Sequence, residues 1–290
     1  MDESSCGWGR IRPKWVQRFN NAWCLVICLS FSHFVHGVLI GFIPASVSAL
    51  SKRFGMSNTA IAAVTSTYDV ASIVMLIPIS LWGNKVHKGQ ILGCGILIHS
   101  VGCLLWILPQ LVVTPYRYAG QAGRSHCYAA NSSAGCPSKP ADQELQSAQD
   151  SNWVYMFVFA QILRGIGTSP TLVLGTAYID ENVSAVRSAK MLGLKMAASG
   201  VGPLLGGALG GVIMDIYGDI DKVIRGEVDL SQITIKPGDP RWYGAWWLGY
   251  MISGILGLIF SIPILGFPRK RQKLNEKMTF VRQQIRVQME

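Results

Sequence analysis

Three charged side chains stand inside otherwise apolar stretches of the 290-residue sequence: Asp69, Arg164 and Lys195. A charge at bilayer depth costs on the order of several kcal/mol and marks function by default. Arg164 carries the richest chemistry, because a guanidinium can hold a carboxylate or sulfate through two parallel hydrogen bonds. His33 and His36, spaced i and i+3, share one face of the first apolar stretch. Each group has two readings. Arg164 either pairs with Asp69 to tie helices together or lends a positive field to a water-filled path. Lys195 either joins that path or snorkels toward the nearer interface. The histidines either pack or line the path, with His36 the more central of the two. All of this is binding chemistry. The sequence has no HExxH, GxSxG or GKS/GKT motif and no GxGxxG after a strand, and its Cys spacings fit no zinc site. We therefore expect no catalytic residues, no metal and no cofactor.

The elements that position these groups are membrane spans. A span needs roughly 20 mostly apolar residues. Six segments qualify: Ala22–Ile43, Thr59–Leu81, Ile91–Val113, Trp153–Ile179, Met191–Met214 and Trp242–Phe267. At 1.5 Å per residue Asp69 and Arg164 each lie roughly 15 Å from the same end of their spans. Helices are required, because in a bilayer each segment must satisfy its own backbone polar groups. Composition agrees. Half the chain is apolar and 14% is charged, against about 25% for an ordinary soluble domain; mean hydropathy is +0.31. A disordered chain, a disulfide miniprotein and a soluble enzyme are excluded. The net charge of +10 lacks the basic stripe with interleaved aromatics of a nucleic-acid binder.

With the N-terminus placed in the cytoplasm, 15 Lys and Arg fall on that side and 9 in the outer loops. The positive-inside bias therefore puts both termini inside. The run Arg269-Lys270-Arg271-Gln272-Lys273 lies against the anionic leaflet. The expected organisation is a cytoplasmic segment 1–21, a six-helix bundle 22–267 with outer loops 114–152 and 215–241, and a basic tail 268–290. Cys127 and Cys136 are the two external cysteines and form a candidate disulfide. Asn131-Ser132-Ser133 in the same loop is a glycosylation sequon, while Asn182-Val183-Ser184 falls inside. The plain alternative for this loop is a polar connector. In the fifth span Gly206/Gly210 and Gly207/Gly211 make two overlapping small-xxx-small pairs that permit close helix approach. Pro170 and Pro203 interrupt the fourth and fifth spans.

Several segments together resemble the organic anion transporting polypeptide family of solute carriers. Asp239-Pro240-Arg241-Trp242-Tyr243-Gly244-Ala245-Trp246-Trp247-Leu248-Gly249 is similar to that family's D-x-R-W-x-G-A-W-W signature. Leu163-Arg164-Gly165-Ile166-Gly167, continuing to Tyr178-Ile179-Asp180-Glu181-Asn182, resembles its fourth span. Gly83-Asn84-Lys85-Val86-His87-Lys88 resembles the loop between its spans two and three. In the signature, Trp242, Trp246 and Trp247 are expected to anchor at the interface while Arg241 stays wet.

The resemblance implies an all-α membrane protein of six transmembrane helices, like the N-terminal half of a major-facilitator-type transporter. It also implies plasma-membrane residence and sodium-independent movement of amphipathic organic anions: conjugated steroids, bile salts, prostanoids and thyroid hormones. The family pattern has twelve spans, so the partner would be a second six-span half or a second copy of the chain. The alternative is a non-transporting membrane protein that binds or regulates a full-length relative. Many members carry His after the Leu-Pro that ends the third span; here Gln110 follows Leu108-Pro109, so family-type stimulation by outside acid does not carry over.

Overall fold

In the computed structural model, the described residues are 6–8, 12–83, 86–116, 153–229, 231, 233, 235–239 and 241–268. Cys127, Cys136, Asn131 and the basic run after Pro268 lie outside them. Among the described residues six helices are long and apolar enough to cross a membrane: α1 (Ala22–Phe54), α2 (Asn58–Trp82), α3 (Lys88–Trp106), α4 (Trp153–Asn182), α5 (Ala185–Met214) and α6 (Trp246–Leu265). Short helical turns at Leu108–Val112 and Ile220–Ile224 follow α3 and α5.

Local chemistry sets the ends. The Asn21 side chain accepts a hydrogen bond from the Trp23 amide, and Ser57 accepts one from the Ala60 amide, satisfying amide groups that the first turn leaves open. Gly55 closes α1 in the left-handed conformation at φ 62°, which glycine adopts without steric cost.

α5 starts at Ala185 rather than Met191 and α3 ends at Trp106 rather than Val113, and two further boundaries differ from the sequence expectation. First, α1 does not stop at Ile43 but runs through Pro44 to Phe54, 33 residues in all. At 1.5 Å per residue it measures about 50 Å, beyond the ~30 Å of a hydrocarbon core. Neighbouring elements hold the last turns: Arg53 is buried and donates to the Thr114 carbonyl. Second, α6 begins at Trp246 rather than Trp242. Residues 242–245 instead fold back along the end of α5, where Ala245 N donates to Ile216 O at 3.0 Å and Gly218 N to Tyr243 O at 3.1 Å.

Packing follows the glycines. On α5, Gly202 and Gly206 lie directly on α1, where a Cβ on Gly206 would overlap the Val38 carbonyl and one on Gly41 would overlap that of Pro203. Of the two small-xxx-small pairs, only Gly206/Gly210 faces α1. A Cβ at Gly211 would meet nothing, and one at Gly207 would have only the Gly41 carbonyl at 3.9 Å. The α3–α4 contact is equally close, because Gly167 lies against the His99 amide and the Gly95 carbonyl.

The buried apolar residues form two clusters. One, at the Trp246 end, is dominated by aromatic rings: Phe42, Phe54, Trp106, Phe157, Trp246 and Tyr250. The other, at the opposite end, gathers Leu25, Leu29, Leu92, Leu174, Tyr178 and Ile264. The polar groups of the middle lie between them.

Overpacking a close backbone contact costs typically ~1–3 kcal/mol. We predict that Gly206→Ala lowers the melting temperature of the detergent-solubilised protein clearly, whereas Gly211→Ala leaves it unchanged. Equal melting temperatures for the two variants would refute this packing assignment.

Candidate functional site

Arg164 lies in the middle of α4 and is 1% exposed. One guanidinium nitrogen donates to Gln161 Oε1 at 2.6 Å. The cation lies over two rings, 5.5 Å from the centre of Tyr68 on α2 and 5.2 Å from that of Tyr250 on α6. Its Nε has no hydrogen-bond partner. Ring faces attract cations through their quadrupole, by on the order of 2 kcal/mol when desolvated.

The expected Asp69 partner is absent. Tyr68 faces Arg164, and its neighbour Asp69 stands on the exposed side of α2. Among the described residues no ion pair joins Asp69 to Arg164. Helical phase is the reason: adjacent residues point about 100° apart, so only one of the two can face α4.

Around Arg164 the structure gathers three histidines. The Arg164 carbonyl accepts from Thr168 Oγ1 at 2.8 Å and lies 3.2 Å from His99 Nδ1. Because the Thr168 hydroxyl proton is committed to that carbonyl, its oxygen accepts from His99 Nδ1 at 2.9 Å. This assigns the Nδ1–H tautomer to His99. His99 stacks on His36, ring centres 5.1 Å apart and 14° from parallel. His36 Nε2 in turn lies 2.8 Å from the Tyr68 hydroxyl. His33 Nε2 is 3.3 Å from the Thr171 carbonyl, which can only accept, so that nitrogen carries the proton. Lys195 donates to the same carbonyl at 3.2 Å and is 2% exposed. It does not snorkel; it turns inward onto α4.

Arg164, His36 and Lys195 are thus brought into one region, with His33 beside them and Asp69 apart. A cavity among His33, His36, His99, Thr168, Thr171 and Ser253 offers ≈ 20 Å³ of space to water centres, enough for about one water molecule. His99 was missed from sequence. It is a single imidazole in a span without formal charge, and only the close α3–α4 contact reveals its role. Among the described residues no group of His, Cys, Asp and Glu could hold a metal ion.

The signature residues form a second site at the Trp246 end. Asp239 receives the Arg241 amide at 2.8 Å and the guanidinium at 3.1 and 2.9 Å. Those bonds hold the Asp239 carboxyl down at about 2. Arg241 stays exposed, as expected, whereas Trp246 and Trp247 are buried in the protein and Trp242 is half-buried. Trp246 is fully enclosed between Phe54 and Phe157. Trp247 donates to Gly218 O at 2.7 Å, and Trp242 to Met214 O at 2.9 Å. Their indole N–H groups fasten the α5–α6 connection, and a Cβ at Gly244 would strike the Met214 backbone.

Beneath them Asp219 is fully buried. It accepts from the Tyr116 amide at 2.6 Å, Gln110 Nε2 at 2.8 Å and Lys222 Nζ at 2.9 Å. Gln110 binds this carboxylate through its side-chain amide. Burial raises the Asp219 carboxyl, but the Tyr116 amide, Arg53 and Lys222 together outweigh it and the net shift is downward.

Six apolar helices enclosing a cationic and imidazole cluster define a multi-pass, all-α membrane protein with a polar core. The Organic Anion Transporter Polypeptide (OATP) family profile matches residues 24–288, and the chain belongs to that family. It is 31% identical over 255 residues to human solute carrier organic anion transporter family member 1C1, covering 83% of this chain and 35% of that protein. With rat member 2B1 it shares 32% identity over 270 residues, covering 90% of this chain and 39% of the relative. Human member 1B3 is 30% identical over 273 residues, covering 90% and 38%. The chain therefore spans somewhat over a third of the length of these relatives.

Asp219 generates a pH prediction. Its folded pKa is depressed below 3.8, so its contribution is present above that value and is lost as pH falls through the lowered pKa. Asp219→Asn should destabilise the neutral-pH protein by about 3 kcal/mol, because it leaves Lys222 and Arg53 buried beside a neutral amide. Its melting temperature should then vary less between pH 7 and pH 3 than that of the parent. Parallel pH profiles would contradict the assignment.

Proposed function

We propose that this chain forms one six-helix wall of a path for amphipathic organic anions, in which Arg164 and Lys195 supply the positive field and His36 is a secondary contact. The observation that carries this reading is a buried guanidinium and a buried ammonium, both held on α4, with no carboxylate among the described residues bonded to either. A buried cation without an acid is costly to maintain and is ready to receive an anion. Membership of the organic anion transporter family supports the same chemistry. The substrate class implied is that of conjugated steroids, bile salts, prostanoids and thyroid hormones, moved without sodium across the plasma membrane.

In this reading the fold is that of one half of a major-facilitator-type transporter. The exposed apolar faces of α2 and α5, including Val70, Val74, Leu204 and Val212, then meet lipid, a second six-helix half or another copy of the chain. The distribution of Lys and Arg supports cytoplasmic termini. In the same reading the Trp246 end, with Asp239 and Arg241, is the outer mouth. Gln110, bonded to Asp219, has no imidazole to protonate there.

The test is uptake of a sulfated steroid by cells expressing the chain with a second six-helix half, at matched surface levels. Arg164→Lys keeps the charge but loses the fork, and should raise the half-saturating concentration roughly tenfold. Arg164→Ala should abolish uptake, and adding Asp69→Asn should not restore it, since the two residues make no pair. Restoration by the double change would make Arg164 a structural tie and overturn the reading.

A further inference from the structure

The segment before α1 is fastened to the bundle at the end remote from Trp246. Gly7 N donates to Gly266 O at 2.8 Å, and the Trp8 indole donates to Ile262 O at 2.9 Å. A 3-10 helix at Lys14–Phe19 then leads into α1. Gln17 on that helix holds Cys6 from both sides. Its carbonyl oxygen accepts from the Cys6 amide at 2.9 Å, and its amide donates to the Cys6 carbonyl at 2.5 Å. Cys6 itself is buried in the apolar cluster of this end. Residues 6–8 and 14–19 are thus held together as a strap that joins the start of α1 to the end of α6.

The outer surface of the strap is basic. Arg12, Lys14 and Arg18 are exposed, and no Asp or Glu occurs between Glu3 and Asp69. Among the described residues no carboxylate pairs with Lys14 or Arg18. The Pro268 carbonyl accepts from the Tyr178 hydroxyl at the same end, and Arg269-Lys270-Arg271 follow directly in sequence. A second basic segment therefore starts where the strap crosses α6. Next to these charges the surface is apolar. Phe19, Trp23 and Ile27 are each at least half exposed. Trp23 and Ile27, four residues apart on α1, share one open face. Exposed rings on the hydrocarbon side and cations on the water side are the arrangement of a membrane boundary.

We propose that the strap is a docking surface for anionic phospholipid. Headgroup oxygens accept from Lys14 and Arg18, while Phe19 and Trp23 lie among the upper parts of the acyl chains. The apolar residues beside the charges favour a bilayer over a soluble polyanion, which would use the charges alone. The bonds to Ile262, Gly266 and Cys6 already fix the strap, so lipid binding spends little chain entropy. In the orientation proposed above, this end meets the cytoplasmic leaflet, which carries the anionic lipid. The lipid here is a bound neighbour and not cargo, and docking needs neither Arg164 nor transport.

The experiment uses the full chain in nanodiscs of phosphatidylcholine mixed with phosphatidylserine, with retained lipid counted by native mass spectrometry. Phosphatidylserine should be enriched over its share of the disc, and raised salt should reduce the enrichment. Phosphatidylserine carrying a diazirine on its headgroup should label within 6–23. Lys14→Gln with Arg18→Gln should lower the enrichment by roughly fivefold per charge removed, with the melting temperature in pure phosphatidylcholine discs unchanged. Lys14→Arg with Arg18→Lys should retain it. Glycerophosphoserine, the same headgroup without acyl chains, should not compete. Equal retention of the two lipids, enrichment that survives the double glutamine change, or labels confined to other segments would overturn the proposal. Effective competition by glycerophosphoserine would overturn the membrane assignment and leave a site for soluble phosphates.

Discussion

The bundle is organised around a guanidinium that no carboxylate among the described residues neutralises. Removing an ion from water costs several kcal/mol even after relaxation, so the groups that cover Arg164 dictate how the helices meet. Tyr68 reaches it from α2 and Tyr250 from α6, and its own carbonyl joins Thr168 and His99. Glycines make this approach possible. A Cβ at Gly102 on α3 would strike the Arg164 side chain, and one at Gly165 would strike the α2 backbone at Tyr68. The Arg-Gly pair at 164–165 is therefore one device: the glycine lets α2 come close enough for Tyr68 to cover the cation.

Two kinds of buried charge divide the protein. At the Trp246 end, Asp219, Lys222, Gln110 and the Tyr116 amide form a bonded set with Arg53 close by, tying the ends of α1, α3 and α5 together. The signature tryptophans lock the same connection from above through main-chain carbonyls. In the middle of the bundle, Arg164 and Lys195 are held by a neutral amide, ring faces and a carbonyl. Balanced charge gives the end a fixed shape. In the middle, the positive charge meets no acidic group among the described residues, and the proposed anion path rests on that difference.

Much of this was legible in the residues. Six apolar runs of span length became six helices, because a bilayer-sized apolar segment has no other way to satisfy its backbone. Arg164, Lys195 and His36 are charge or imidazole within those runs; Arg164 and His36 both meet His99, and Lys195 turns inward onto α4 at Thr171. What sequence could not supply was helical phase and the neighbour across each contact. Phase turns Asp69 away and Tyr68 toward Arg164. Neighbours bury Trp246 among aromatic rings, where an interfacial role is expected of a tryptophan at a span's end. They also continue α1 past Pro44, since Arg53 and Phe54 find buried partners there. His99 and Gln110 belong to the same class, as each has its meaning only through a residue distant in sequence.

The central claim is that the buried cationic cluster recognises negative charge. It is tested most directly by equilibrium binding of a sulfated steroid and its uncharged parent alcohol to the purified protein in nanodiscs. Our account predicts that the sulfate binds at least roughly tenfold more tightly, through charge-assisted hydrogen bonds worth about 1.5–3 kcal/mol. It also predicts that Arg164→Gln removes most of that advantage without weakening the parent alcohol. Equal binding of the two steroids, or a sulfate advantage that survives Arg164→Gln, would contradict it.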